Sequence, residues 1–190
     1  MKVGLYFGSF NPIHNGHLII ANFVLQNTDI DQVWFVVSPQ NPLKQSTGLL
    51  DEYQRLFLVN AAIDGENRLR ASDIEFRLPR PSYTINTLTY LEEKYPNHQF
   101  NLIMGSDSFE NLPKWKNYQQ ILRHYPIYVY LRTGHESIPE YPEAQAQILH
   151  APLIQISATH IRDNIRKGKS IRYLVPDKVR EEIEQNRYYQ

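Results

Sequence analysis

The chain of 190 residues contains no cysteine. That absence excludes disulfides, thiolate metal sites and a cysteine nucleophile together, and it agrees with a reducing compartment. There is no surplus of charge: 20 Lys+Arg face 20 Asp+Glu. A general nucleic-acid binder needs excess cations to displace phosphate counterions, so only a local basic pocket is left open. Long apolar runs are missing as well. The longest, 18–25, is interrupted by Asn22 and falls far short of a membrane span. The opening MKVGLYFGSF has one lysine and reaches Gly8 and Asn11-Pro12 too soon for a signal-peptide core. The expectation is a soluble, cytoplasmic protein with no nucleic-acid and no membrane partner. A homo-oligomer is compatible with it.

Hydrophobic residues make up 42% and charged residues 21%, a globular balance. At this length the expectation is one domain over residues 1–190. Residues 3–7 form a short β-favouring apolar run that ends at Gly8, which predicts a buried first strand. Leu18, Ile19, Ala21, Val24 and Leu25 then recur at helical spacing. Residues 33–37 predict a second strand, ended by Ser38-Pro39. Asp51 reads as a helix N-cap with Gln54 in the reciprocal position, leading a helix through Leu56, Val59 and Ile63.

Further strands are predicted at 74–78, 100–104, 127–131 and 153–156. A helix through Ile85, Leu88 and Leu91 stops before Pro96. Two helices, near 159–167 and 177–186, close the chain, and 133–147, with Pro139 and Pro142, predicts a surface excursion. This alternation implies right-handed crossovers and an α/β, Rossmann-like, doubly wound sheet. It is mostly parallel, has helices on both faces and carries a small helical C-terminal part. Such sheets bind ligands at the carboxyl ends of strands where the chain order reverses, so chemistry belongs directly after the strands.

The first strand is followed by Gly8-Ser9-Phe10-Asn11-Pro12-Ile13-His14-Asn15-Gly16-His17. Gly8 lets backbone approach a ligand closely, and a helix start offers unpaired N–H groups to an anion. His14 and His17 share a helix face if the helix begins here, and imidazoles donate to phosphate oxygens. A metal-binding His pair and plain surface polarity compete with that reading, but no third ligand accompanies the pair. Near the end, Ile156-Ser157-Ala158-Thr159-His160-Ile161-Arg162 offers two hydroxyls, a helix start and a guanidinium, against the simpler reading of a helix cap with a solvated arginine. Lys44 follows the second strand as a third candidate cation or a solvated loop lysine. Gly105-Ser106-Asp107 follows the fourth, where Asp107 could meet ribose hydroxyls or cap a helix. Trp115 could stack on a ring or sit in the core.

GSFNPIHNGH and ISATHIR resemble the two marks of a nucleotidyltransferase superfamily, G-x-F-x-P-x-x-x-G-H after strand one and I-S-x-T-x-I-R near the end. Pro81-Ser82-Tyr83-Thr84-Ile85-Asn86-Thr87-Leu88, Gly105-Ser106-Asp107 with Leu112-Pro113-Lys114-Trp115, and the tail KGKSIRYLVPDKVREEI are similar to the bacterial nicotinate-nucleotide adenylyltransferases within it. Ser9 and Asn11 stand where many relatives carry Thr and Asp, and Leu43 stands where His often precedes the lysine.

The resemblance implies ATP and nicotinate mononucleotide as small-molecule substrates, with Mg²⁺ arriving with ATP and no metal site on the protein. It gives His14, His17 and Arg162 catalytic roles on the ATP phosphates. Gly8, Ser9, Phe10, Gly105, Asp107, Ile156, Ser157 and Thr159 join His17 and Arg162 in binding ATP. Lys44, Tyr83, Thr84, Ile85, Trp115 and Lys116 fall to the acceptor. The implied reaction is attack of the mononucleotide phosphate on the α-phosphorus of ATP. Phosphopantetheine or nicotinamide mononucleotide as acceptor, and a non-catalytic nucleotide sensor, are the alternatives. An oxidoreductase is disfavoured because Gly8 lacks the G-x-G-x-x-G spacing.

Overall fold

The computed structural model describes residues 1–40 and 48–190. Its centre is a six-stranded, wholly parallel sheet of β1 (Lys2–Gly8), β2 (Gln32–Val37), β3 (Leu69–Ser72), β4 (Gln99–Gly105), β5 (Ile127–Tyr130) and β6 (Ala146–Leu149), in the order β3-β2-β1-β4-β5-β6. From β1 the chain runs outward through β2 and β3, then returns to β4 on the other side of β1. The reversal therefore falls between β1 and β4, whose ends at Gly8 and Gly105 open side by side. This is the doubly wound α/β sheet expected.

Alternation along β2 shows how two cores form. Val33, Phe35 and Val37 point into one hydrophobic cluster, while Trp34 and Val36 point into the other, as the period of two requires. The first cluster is closed by Ile20, Ala21 and Val24 of α1 (Asn15–Asn27), Leu58, Val59 and Ile63 of α2 (Glu52–Ile63), Ile161 of α6 (Ala158–Arg166), and Val179 and Ile183 of α7 (Asp177–Asn186). The second takes Leu88 and Leu91 of α3 (Thr84–Lys94), Phe109 of α4 (Ser106–Glu110), and Ile121 and Leu122 of α5 (Tyr118–His124). Asp51 caps α2 by accepting from the Tyr53 and Gln54 amides, at 2.9 and 3.4 Å. The Gln54 side chain does not complete a box there; it hydrogen-bonds Tyr188.

Two predicted strands are corrected. Residues 74–78 are not a strand: Ile74–Arg77 is a turn of 3-10 helix, closed by Phe76 N–H to Asp73 O at 2.9 Å. The third strand is Leu69–Ser72, paired with β2 from Val33↔Leu69 to Val36↔Ser72. The apolar run misleads because Glu75 in its middle is itself buried, satisfied by the Ser82 and Thr87 hydroxyls at 2.9 Å each. The last strand is not 153–156 either. Leu153 is 58% exposed, and the sixth strand is Ala146–Leu149, inside and beyond the end of the predicted excursion. As an edge strand with Ala146 and Gln147 exposed, β6 lacks the apolar run that marks a buried strand. The rest of the excursion is not wholly superficial: Ile138, Tyr141 and Ala144 pack on the second core.

Candidate active site

A cleft of about 1040 Å³ opens at the carboxyl ends of β1, β4 and β5. A smaller depression of about 620 Å³ lies at the opposite ends of β2 and β3, around Asp64, Glu66 and Arg70. Of the expected site residues, Gly8, Ser9, Phe10, His14, His17, Tyr83, Thr84, Gly105, Asp107, Trp115, Lys116, Ile156, Ser157, Thr159 and Arg162 all line the large cleft. Ile85 instead packs its side chain against the second core. Lys44 and its neighbour Leu43 lie outside the described residues.

The first turn has a steric logic. Phe10 adopts a left-handed backbone, φ 44°, which folds its ring back over Gly8. A Cβ on Gly8 would stand 2.8 Å from that ring, so only glycine fits beneath it. α1 begins at Asn15 with His14 as its N-cap. Gly16 keeps the helix clear of His14, because a Cβ there would lie 3.0 Å from Nδ1.

The two imidazoles are stacked, with ring centroids 3.7 Å apart and planes at 22°. The His14 backbone N–H donates to His17 Nδ1 at 3.3 Å, which leaves the proton of neutral His17 on Nε2. Phe10 and Tyr6 meet the His17 ring edge to face, at 5.1 and 5.9 Å. His17 is thus a donor of fixed orientation. Burial, and next the Arg132 charge, pull the His14 pKa down to about 4, so this imidazole is neutral at pH 7. Its Nδ1 is buried with no hydrogen-bond partner among the described residues.

Opposite lies the start of α6. Ser157 caps it by accepting from the His160 N–H at 3.2 Å, so the helix-cap reading holds for this oxygen while its hydrogen is left to donate. Arg162 donates to Thr159 Oγ1 at 3.3 Å and to Asn11 O at 2.7 Å, and its Nε is buried without a partner among the described residues. The two turns are therefore one structure, joined across the cleft mouth.

At the end of β4, a Cβ on Gly105 would lie 2.5 Å from Asp107 Oδ1 and 2.7 Å from Arg132 Cδ. Asp107 Oδ2 pairs with Arg132 Nη1 at 3.3 Å, while Oδ1 is buried and has no partner among the described residues. The Tyr6 and Tyr130 hydroxyls meet at 2.9 Å at the cleft floor. Burial raises both phenols above their ordinary value, so they remain neutral donors. On the far side, Lys116 Nζ lies 4.7 Å from the Tyr83 ring centroid, beside Trp115.

Several cleft residues escaped the sequence reading. Arg132 lies two residues past the end of β5, where the strand-end rule would have found it. Glu75 was hidden by the misplaced strand. Burial raises its pKa, while bonds from the Ser38, Thr87 and Ser82 side chains oppose that shift. Among the described residues no group of three or more His, Asp or Glu could hold a metal ion.

The cleft at the sheet reversal, the imidazoles of the turn after β1 facing the Arg162 guanidinium of α6, and the order of the strands define a nucleotidyltransferase site. Residues 5–164 match the model of the cytidylyltransferase-like family, and the chain belongs to that family. Within it the chain groups with the nicotinate-nucleotide adenylyltransferases. A Flavobacterium psychrophilum protein named "Probable nicotinate-nucleotide adenylyltransferase" is 51% identical over 100% of this chain and 99% of its own length. A Cytophaga hutchinsonii protein of the same name is 52% identical over 100% and 98%. In fold, the chain is similar to the Plasmodium falciparum nicotinic acid mononucleotide adenylyltransferase complexed with NaAD, with TM-score 0.82 and 19% identity over 99% and 97% of the two chains.

Proposed function

We propose that the protein transfers the adenylyl group of ATP to nicotinate mononucleotide, releasing pyrophosphate and forming deamido-NAD, in the cytoplasm. The observation that carries this is the single cleft in which both phosphate turns, joined by Arg162 and Asn11, face Tyr83, Thr84, Trp115 and Lys116.

The step is a direct displacement. An oxygen of the mononucleotide phosphate bonds to the α-phosphorus, and the bond from that phosphorus to the pyrophosphate oxygen breaks. A phosphomonoester has a second pKa near ~6, so the nucleophile is already largely dianionic at neutral pH. No general base is required, and Glu75, engaged by three hydroxyls, is not placed as one. The work of the protein is alignment and charge. Holding two anions in line is worth roughly 7–11 kcal/mol over free reactants.

His17 Nε2–H donates to the α-phosphate and the oxygen leaving it, with the stacked His14 behind. Arg162 directs Nε, and Ser157 its hydroxyl hydrogen, at the leaving phosphates. Backbone N–H groups of the Gly8–Phe10 turn and of the start of α6 are offered to the same oxygens. Asp107 Oδ1 accepts from the adenosine ribose, and Trp115 with Lys116 borders the nicotinate ring. Mg²⁺ entering as part of the ATP substrate would supply countercharge to the departing pyrophosphate.

Stereochemistry tests the step. With ATP carrying sulfur at one α-phosphate position, a single displacement inverts the configuration at phosphorus in the dinucleotide. Retention would require a covalent adenylyl-enzyme and would overturn the mechanism.

A further inference from the structure

Arg55 stands on α2 in the apolar row with Leu58, Val59 and Ile63, and its side chain is wholly buried. A guanidinium in that position must use its donors on whatever surrounds it. Here Nε donates to Leu50 O at 2.8 Å, Nη1 to Ser9 O at 2.6 Å and Ser38 O at 2.8 Å, and Nη2 to Pro39 O at 3.1 Å. Every acceptor is a neutral carbonyl, and they come from the loop after β1, the loop after β2 and the residue before the α2 cap. No ion pair of Arg55 occurs among the described residues. Asp51 and Glu52 act on it only through space, as does Tyr189, against the effect of burial.

Two consequences follow from elementary geometry and electrostatics. In a trans peptide the C=O and N–H point in opposite directions, so pinning Ser9 O onto Arg55 turns the Phe10 N–H away from it. A buried charge without a counter-ion is screened weakly, so its field reaches through the turn. We propose that Arg55 is a positioning residue for the phosphate turn: it sets the Ser9–Phe10 peptide with its N–H toward the cleft and backs it with an unpaired positive charge. This rests on the reading that Gly8–Phe10 receives reacting phosphates. Asn11 extends the same frame, donating to Gly48 O at 2.9 Å and accepting from Leu50 N–H at 3.1 Å.

The test compares wild type, Arg55→Gln and Arg55→Lys in three measurements. These are Mg²⁺–pyrophosphate affinity by calorimetry, kcat at saturating substrates, and KM for nicotinate mononucleotide, with thermal melts to establish the folded fraction. Gln, which removes the charge and most donors, is expected to weaken pyrophosphate at least about tenfold and to lower kcat by about 100-fold, the usual effect of a small misplacement. KM for the mononucleotide should stay within about threefold. Lys keeps the charge without the fork, so pyrophosphate affinity should stay within about threefold while kcat falls at least tenfold. If Arg55→Gln does not fold, Arg55→Lys carries the test alone. Folded variants with wild-type pyrophosphate affinity and kcat overturn the proposal. So does a loss of all three parameters in proportion to the folded fraction, the mark of a merely structural arginine. A wild-type protein that binds no pyrophosphate overturns the reading of the turn and this proposal with it.

Discussion

Arg162 Nη1 donates to the backbone oxygen of Asn11 at 2.7 Å across 151 residues of sequence. One hydrogen bond thus joins the turn after the first strand to the helix that follows the last one. It also divides the guanidinium: the Nη atoms hold protein, with Thr159 taking the second, and Nε is left buried beside the cleft with no partner among the described residues. Arg162 is both a clamp on the turn and a donor toward it.

That dual role predicts that Arg162→Ala lowers kcat at saturating ATP by on the order of 100-fold, as loss of a fixed donor does. Arg162→Lys should recover little, because one ammonium cannot hold Asn11 and present a second N–H in the fork geometry. A steady-state kcat within threefold of wild type for the alanine variant would reduce Arg162 to a surface residue.

His17 donates from Nε2 because its Nδ1 is occupied by the His14 N–H. His17→Ala should cut kcat by roughly 100–1,000-fold while changing ATP affinity far less, because the donor acts where charge develops. Single-turnover rates together with equilibrium binding of ATP separate the two. Equal losses in both would place the interaction in the ground state.

His14 gives a pH signature. Its folded pKa, about 4, lies below the ordinary histidine value, so the unfolded chain binds more protons between about pH 4 and 6.5. Stability therefore falls as the pH drops through that window, by roughly 3 kcal/mol in all at about 1.4 kcal/mol per unit. Urea midpoints across pH 4–7 should fall less steeply for His14→Gln than for wild type. Parallel profiles would show that His14 is not the titrating group.

Gly105 keeps space for the Asp107–Arg132 pair. Gly105→Ala should displace Asp107 Oδ1, which a Cβ would approach to 2.5 Å. An increase of about tenfold in KM for ATP, some 1.4 kcal/mol, is expected, with KM for the mononucleotide nearly unchanged. The reverse pattern would move Asp107 from the ATP side to the acceptor side.

What was legible in the sequence followed from periodicity and from glycine. The runs at β1, β2 and β4 are buried on both faces and read plainly, and the Asp51 cap and the α3 stop before Pro96 lie where local chemistry puts them. β3 and β6 are short edge strands with mixed composition, and their pairing is set by their neighbours rather than by their own residues. The turns after β1 and β4 could be read because Gly8 and Gly105 stand where a Cβ would crowd Phe10 and Asp107, and the turn before α6 because Ser157 caps the helix and Arg162 lies within it. Arg55 could not: an arginine in an apolar helical row reads as a solvated exception until the carbonyls around it are seen.

The acceptor and the product together identify the reaction. Pyrophosphate release should be measured with ATP–Mg²⁺ and nicotinate mononucleotide, nicotinamide mononucleotide or phosphopantetheine, each offered separately. Rapid release is expected with nicotinate mononucleotide, accompanied by equimolar deamido-NAD, and much slower release with the other two. Release only with phosphopantetheine or with nicotinamide mononucleotide, or with none of the three, would contradict the proposed reaction.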